Sequence, residues 1–124
     1  MSVARVARIW QLAGVSVVPI LDNQTKRPAV KWSPYMATIP TLGEVDEWWG
    51  NGKPYGLALT CGGVSGGMEM TEIEGRAYSG DNIIEIINRM DELGIGHIWD
   101  LLTGPDGYSE RSPSGGLHLL YRIR

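Results

Sequence analysis

Glycine and proline interrupt this chain too often for any long element to form. Seventeen glycines and seven prolines fall among 124 residues, and they gather at positions 50–56, 62–67, 94–96 and 104–116. Such clusters mark turns between short elements, so the fold must be assembled from several brief helices and strands. Hydrophobic residues make up 43% of the chain and charged residues 20%, ordinary globular usage that argues for one compact domain with its own core and against disorder. No internal repeat, low-complexity tract or Pro/Ser-rich linker divides it.

Several classes fall away at once. No run approaches the ~18 apolar residues of a membrane span, and the N-terminus lacks the regions of a signal peptide, which points to a soluble cytoplasmic protein with no membrane partner. Cys61 is the single cysteine and is accompanied only by His97 and His118. That excludes an internal disulfide and a structural zinc, and it fits a reducing compartment. A formal net charge of −3 does not advertise nucleic-acid binding, although Lys26, Arg27, Lys31 and Lys53 fall in one region while acids gather elsewhere.

Along the chain, Ser2 is placed to cap a helix in which Val3, Val6, Ala7, Trp10 and Ala13 recur at helical spacing, with Gly14 just beyond its end. "VSVVPI" (15–20) predicts a short buried strand, and "LDNQTKRPAVKW" (21–32) a polar loop whose Trp32 folds into the core. Thr41 and Glu44 fit a capping box, and Leu42, Val45, Trp48 and Trp49 give the helix that follows an apolar side for packing. "YGLALTC" (55–61) predicts a strand, "CGGVSGG" turns the chain, and "MEMTEIE" (68–74) returns antiparallel to it. Ile83, Ile84, Ile87 and Met90 predict a helix over 81–93 that packs on the sheet. "HIWDLLT" (97–103) and "LHLLYRI" (117–123) predict two strands of a hairpin joined by "GPDGYSERSPSGG". The mixed order favours an α+β fold, a mixed or antiparallel sheet with flanking helices.

The 68–74 strand carries acids where its pattern asks for apolar residues. Side chains two apart share a face, so Glu72 and Glu74 would stand together with Cα atoms roughly 6.5–7 Å apart, while Glu69 points the other way to solvent. Carboxylate oxygens are what Mg²⁺ and Mn²⁺ prefer, and two neighbouring acids need a cation or base to neutralise them. The competing explanation is an edge strand whose glutamates keep other edges away. In "SPSGGLHLLYR" (112–122), two glycines let backbone N–H groups and the Ser114 hydroxyl approach a phosphate closely. His118 offers a further donor there, or is a strand histidine satisfied by a carbonyl.

Together these residues resemble the N-terminal primase-polymerase domain of phage- and plasmid-borne replication proteins, within the archaeo-eukaryotic primase superfamily. "YGLALTCGGVSGGMEMTEIEG" followed some forty residues later by "RSPSGGLHLLYR" carries the resemblance, supported by "GVSVVPI", "KRPAVKW" and "EWWGNGKPYG". It covers essentially the whole chain, residues 1–124, and implies a primase-polymerase catalytic core with an RRM-like element. The family's D-x-D pair, which holds two catalytic divalent metals, matches Glu72 and Glu74, each one methylene longer. Its Ser and His, which bind the incoming nucleotide's phosphates, match Ser114 and His118, with Gly115 and Gly116 at the tight turn and Arg111 as a nearby cation. The third acid would lie beyond Arg124, which implies a sequence incomplete at its C-terminus, the first part of a longer protein. Asp100, Asp106 and Glu110 are the alternatives within it, the latter two falling in the expected turn.

The resemblance implies template-directed nucleotidyl transfer for primer synthesis, with Mg²⁺ or Mn²⁺ as cofactor, nucleoside triphosphates as substrates and single-stranded DNA as template. Glu72 and Glu74 would be metal ligands, and Ser114 and His118 would hold the triphosphate. Lys26, Arg27 and Lys31, with Trp32 as a base-stacking residue, are candidates for template contact, the alternative being a solvated loop with Trp32 in the core, and a helicase domain or protein is the implied partner. The alternative from another class is a non-catalytic or degenerate module that binds nucleic acid or a replication partner. A metal-dependent nuclease or phosphatase is weaker, because no further His or Asp cluster accompanies the acids.

Overall fold

Ser2 starts the first helix as its sequence predicts: its hydroxyl accepts from the Arg5 N–H at 3.2 Å, and α1 runs Val3–Leu12. Gly14 follows with φ +83°, the left-handed conformation that lets the chain leave a helix without a Cβ clash. The structure is a computed structural model and describes residues 1–123. It is α+β, with four α-helices and two small antiparallel sheets among the described residues. These residues form two compact units, Met1–Met68 and Glu69–Ile123.

In the N-terminal unit, β1 (Ser16–Ile20) pairs antiparallel with β2 (Gly56–Thr60), from Ser16 opposite Thr60 to Ile20 opposite Gly56. Residues 16–19 of β1 are buried, as a continuous Val-rich run requires. Between the strands lies α2 (Leu42–Trp49), whose Thr41–Glu44 capping box is complete in both directions. Ala7 of α1, Val17, Val45, Trp48 and Trp49 form the core of the unit. Trp48 receives Tyr35 edge-on at 5.0 Å between ring centroids. Trp32 departs from expectation: it is 46% exposed instead of folded into this core, because a short 3₁₀ turn over Ser33–Met36 sends Tyr35 inward in its place.

The C-terminal unit is built on a three-stranded sheet of β3 (Met68–Ile73), β4 (Tyr108–Arg111) and β5 (Leu117–Arg122), ordered β3-β5-β4. Two helices, α3 (Gly80–Glu92) and α4 (Gly96–Thr103), cover one face of it. Between helices and sheet runs a groove of about 570 Å³, lined by Ile86 and Met90 of α3, Ile98 and Leu102 of α4, and Leu119 and Tyr121 of β5. Among the described residues no helix is long and apolar enough to cross a membrane.

Three expectations are corrected here. Residues 97–103 are helical instead of a strand: Ile98, Leu101 and Leu102 repeat at helical spacing, and the segment lacks the β-branched run that would stiffen it as a strand. The hairpin partner of β5 is therefore β4, a stretch placed in the connecting turn on account of its polarity. Nor does β3 extend β1–β2. Its link to the β2 side is one bridge, Gly62 to Met68, and its sheet partner is β5. Gly62 (φ +93°), Gly66 (φ +66°) and Gly67 (φ +78°) all take positive φ, which diverts the chain before a regular hairpin can form.

Candidate functional site

Pairing of β4 with β5 sets Tyr108 opposite Leu120, Ser109 opposite Leu119, Glu110 opposite His118 and Arg111 opposite Leu117. Directly paired residues share a face. Leu119 lines the groove under the helices, so Ser109 and Arg111 belong to the helix-covered face while Tyr108, Glu110 and His118 stand on the other.

On that other face four side chains form a row across the sheet. The Tyr108 hydroxyl donates to Glu110 Oε2 at 3.1 Å, Glu110 Oε1 lies 3.1 Å from His118 Nδ1, and His118 Nε2 lies 3.5 Å from Glu72 Oε1. The imidazole is 21% exposed and the two carboxylates 44% and 43%, so the ring is held between acids that water still reaches. Burial, with the Glu110 carboxylate beside it, pushes the Tyr108 phenol above its ordinary value.

The stretch Ser112–Gly116 makes a tight turn at the head of β5. Ser112 N–H donates to Gly116 O at 3.1 Å, Gly115 N–H to Ser112 O at 2.9 Å, and Gly116 N–H to the Ser112 hydroxyl at 2.9 Å. Ser114 Oγ stands 3.1 Å from Ser112 Oγ, and Gly115 takes φ +83°. This turn meets the end of β3 main chain to main chain. A Cβ on Gly75 would lie 2.1 Å from Ser114 O, and one on Gly116 only 2.4 Å from Ile73 O. The acidic strand and the Ser-Gly-Gly turn, some forty residues apart in sequence, are thus direct neighbours.

Other expected residues are placed differently. Glu74 lies just past β3, and its carboxylate pairs with Arg76 at 2.9 Å, both side chains largely exposed. Arg111 donates to Gly115 O at 3.2 Å and stacks over the Tyr78 ring at 4.4 Å, so it braces the turn from the helix-covered side. Lys26, Arg27 and Lys31 are exposed in the N-terminal unit. Their loop is closed by Leu21 N–H donating to Arg27 O at 2.8 Å, with Gln24 and Lys26 at φ +63° and +59°. Glu110, assigned to a turn from sequence, is a strand residue facing His118. Only the β4–β5 register could have revealed it, although Tyr108 and Glu110 do show the two-residue alternation of a strand face.

Carboxylates are the right donor chemistry for Mg²⁺ or Mn²⁺. Among the described residues no group of three or more His, Cys, Asp or Glu side chains is placed to hold an ion. Chemically, the face offers a fixed imidazole, a turn whose backbone and hydroxyls suit phosphate, and acids on both sides of the ring.

Compared with known families, the chain matches the family model described as "Bifunctional DNA primase/polymerase, N-terminal" over residues 7–123, a span that takes in all of the C-terminal unit and the N-terminal unit from residue 7. No curated protein matches it.

Proposed function

The chain belongs to the bifunctional DNA primase/polymerase N-terminal family, and from that membership we propose that it is the nucleotidyl-transfer domain of a primer-synthesising protein. The observation that carries this reading is the meeting of the two motif segments, with His118 3.5 Å from Glu72 and the Ser112–Gly116 turn against the end of β3. In this reading Ser114, Gly115, Gly116 and His118 receive the triphosphate of an incoming nucleotide, orienting it and offsetting its charge. Arg111 acts by bracing the turn.

Family membership implies a divalent cation, and Glu72 and Glu74 are the residues proposed to hold Mg²⁺ or Mn²⁺, which when bound neutralises charge on the transferring phosphoryl group. Glu74 must first leave Arg76. Lys26, Arg27 and Lys31 are proposed to contact the phosphates of single-stranded DNA template, an electrostatic role that weakens with salt.

Extension of a primed DNA template, with Mg²⁺ or Mn²⁺ and each nucleotide type, tests the proposal. Glu72→Gln is expected to reduce incorporation on the order of a hundredfold. Ser114→Ala is expected to raise KM about tenfold, the worth of one hydrogen bond to a charged group. Incorporation indifferent to both changes would sink the assignment. A non-catalytic module is the second reading, favoured by the pairing of Glu74 with Arg76 and by the contact of Glu72 with His118. Template binding without any incorporation would select it.

A further inference from the structure

A histidine flanked by two carboxylates can turn its ring toward either, and the direction decides which nitrogen is left for a ligand. Here the two contacts are unequal. Glu110 Oε1 is within hydrogen-bond range of Nδ1 at 3.1 Å, whereas Glu72 Oε1 is 3.5 Å from Nε2. Glu110 is also the better anchored acid: it sits directly across the β4–β5 ladder from His118, and its second oxygen accepts from the Tyr108 hydroxyl at 3.1 Å.

We infer that Glu110 is the positioning residue of this site, accepting from Nδ1–H of His118 so that the ring's Nε2–H is the donor directed toward Glu72 and the phosphate that binds beside it. The inference deepens the proposed function and rests on it for the identity of the ligand, a nucleotide triphosphate. The physical reason is general: a carboxylate on one ring nitrogen fixes both the plane of an imidazole and the position of its proton, leaving the other nitrogen committed to chemistry. Without Glu110 the ring would be free to rotate about its side-chain bonds, and Nε2 would lose its fixed direction.

The chain has two histidines, and His97 is exposed on α4, so ¹⁵N-histidine labelling gives one probe and one internal reference. Wild type is expected to show a hydrogen-bonded Nδ1–H at His118. Glu110→Ala should abolish that signature, and Glu110→Gln, whose amide oxygen still accepts, should restore it. His97 should be unchanged throughout. An unaltered His118 signature in Glu110→Ala overturns the inference.

A second arm measures ATP affinity with Mg²⁺ present. Glu110→Ala is expected to lose about tenfold, Glu110→Gln little, and Glu110→Ala with His118→Ala no more than His118→Ala alone. Additive losses would mean that Glu110 acts independently of the ring. If wild type fails to bind ATP, the proposed function falls while the imidazole signature still decides the pairing. Glu110 is 43% exposed on an edge strand, so its substitution is expected to leave the fold intact, which far-UV circular dichroism of each variant checks.

Discussion

Replacing Gly116 with alanine should damage the fold more than the same change at Gly115, although Gly115 has the unusual backbone. At Gly116 the new methyl would lie 2.4 Å from Ile73 O, 2.9 Å from Gly75 N and 3.0 Å from Ser112 Oγ. Carbon needs about 3.5 Å from such neighbours, so main chain on β3 or in the turn must move by roughly 1 Å. Both are held by hydrogen bonds, which puts the cost near the upper end of overpacking, about 3 kcal/mol. At Gly115 nothing stands within 4 Å of the new methyl, and the cost is the strain of φ +83° alone. For an L-residue that is about 1–2 kcal/mol. Urea unfolding followed by far-UV circular dichroism separates the two. With a slope of about 2 kcal/mol/M, Gly116→Ala should lower the midpoint by about 1.5 M and Gly115→Ala by about 0.5–1 M. A larger loss at Gly115, or an unmoved midpoint at Gly116, would refute the claim that the two segments meet backbone to backbone.

Two further outcomes follow from side-chain contacts. The Tyr35 hydroxyl donates to the Glu44 carboxylate, which pushes the phenol up to about 12 and holds the carboxyl below its ordinary value. The phenol's contribution to stability should therefore be complete below pH 10 and fade as pH rises toward 12. That of Glu44 should be present above about 4.5 and fade as pH falls below it, as urea midpoints across pH would record. Tyr35→Phe should flatten the alkaline limb and weaken the acid one, and a midpoint rising between pH 10 and 12 in wild type would contradict the pairing. Arg111→Lys should behave like Arg111→Ala, each costing about 1 kcal/mol in the same assay, because an ammonium cannot stack flat on Tyr78 while donating to Gly115 O. Full retention of stability by lysine would show that charge alone suffices.

Sequence revealed those parts of the molecule whose signals are local. The α3 periodicity, the Ser2 cap, the Thr41–Glu44 box and the buried run of β1 each announce themselves within a few residues, and each is found in the structure. What it concealed depends on partners distant in the chain. Residues 97–103 are short and apolar, a length at which helix and strand patterns overlap. All of β4 is exposed, so only its ladder with β5 makes it a strand. The site divides along the same line. Glu72, Ser114 and His118 carry chemistry visible in their immediate sequence, whereas Glu110 gains significance only through the register that sets it across from His118.

The contact of Gly75 with Ser114 and of Gly116 with Ile73 involves no side chain of these glycines and no charge. The scaffold that joins the two motif segments thus does not depend on the groups that would act on a nucleotide. Changes that lengthen, shorten or remove the acids at 72 and 74 should therefore still leave a serine-glycine turn at the end of the same strand.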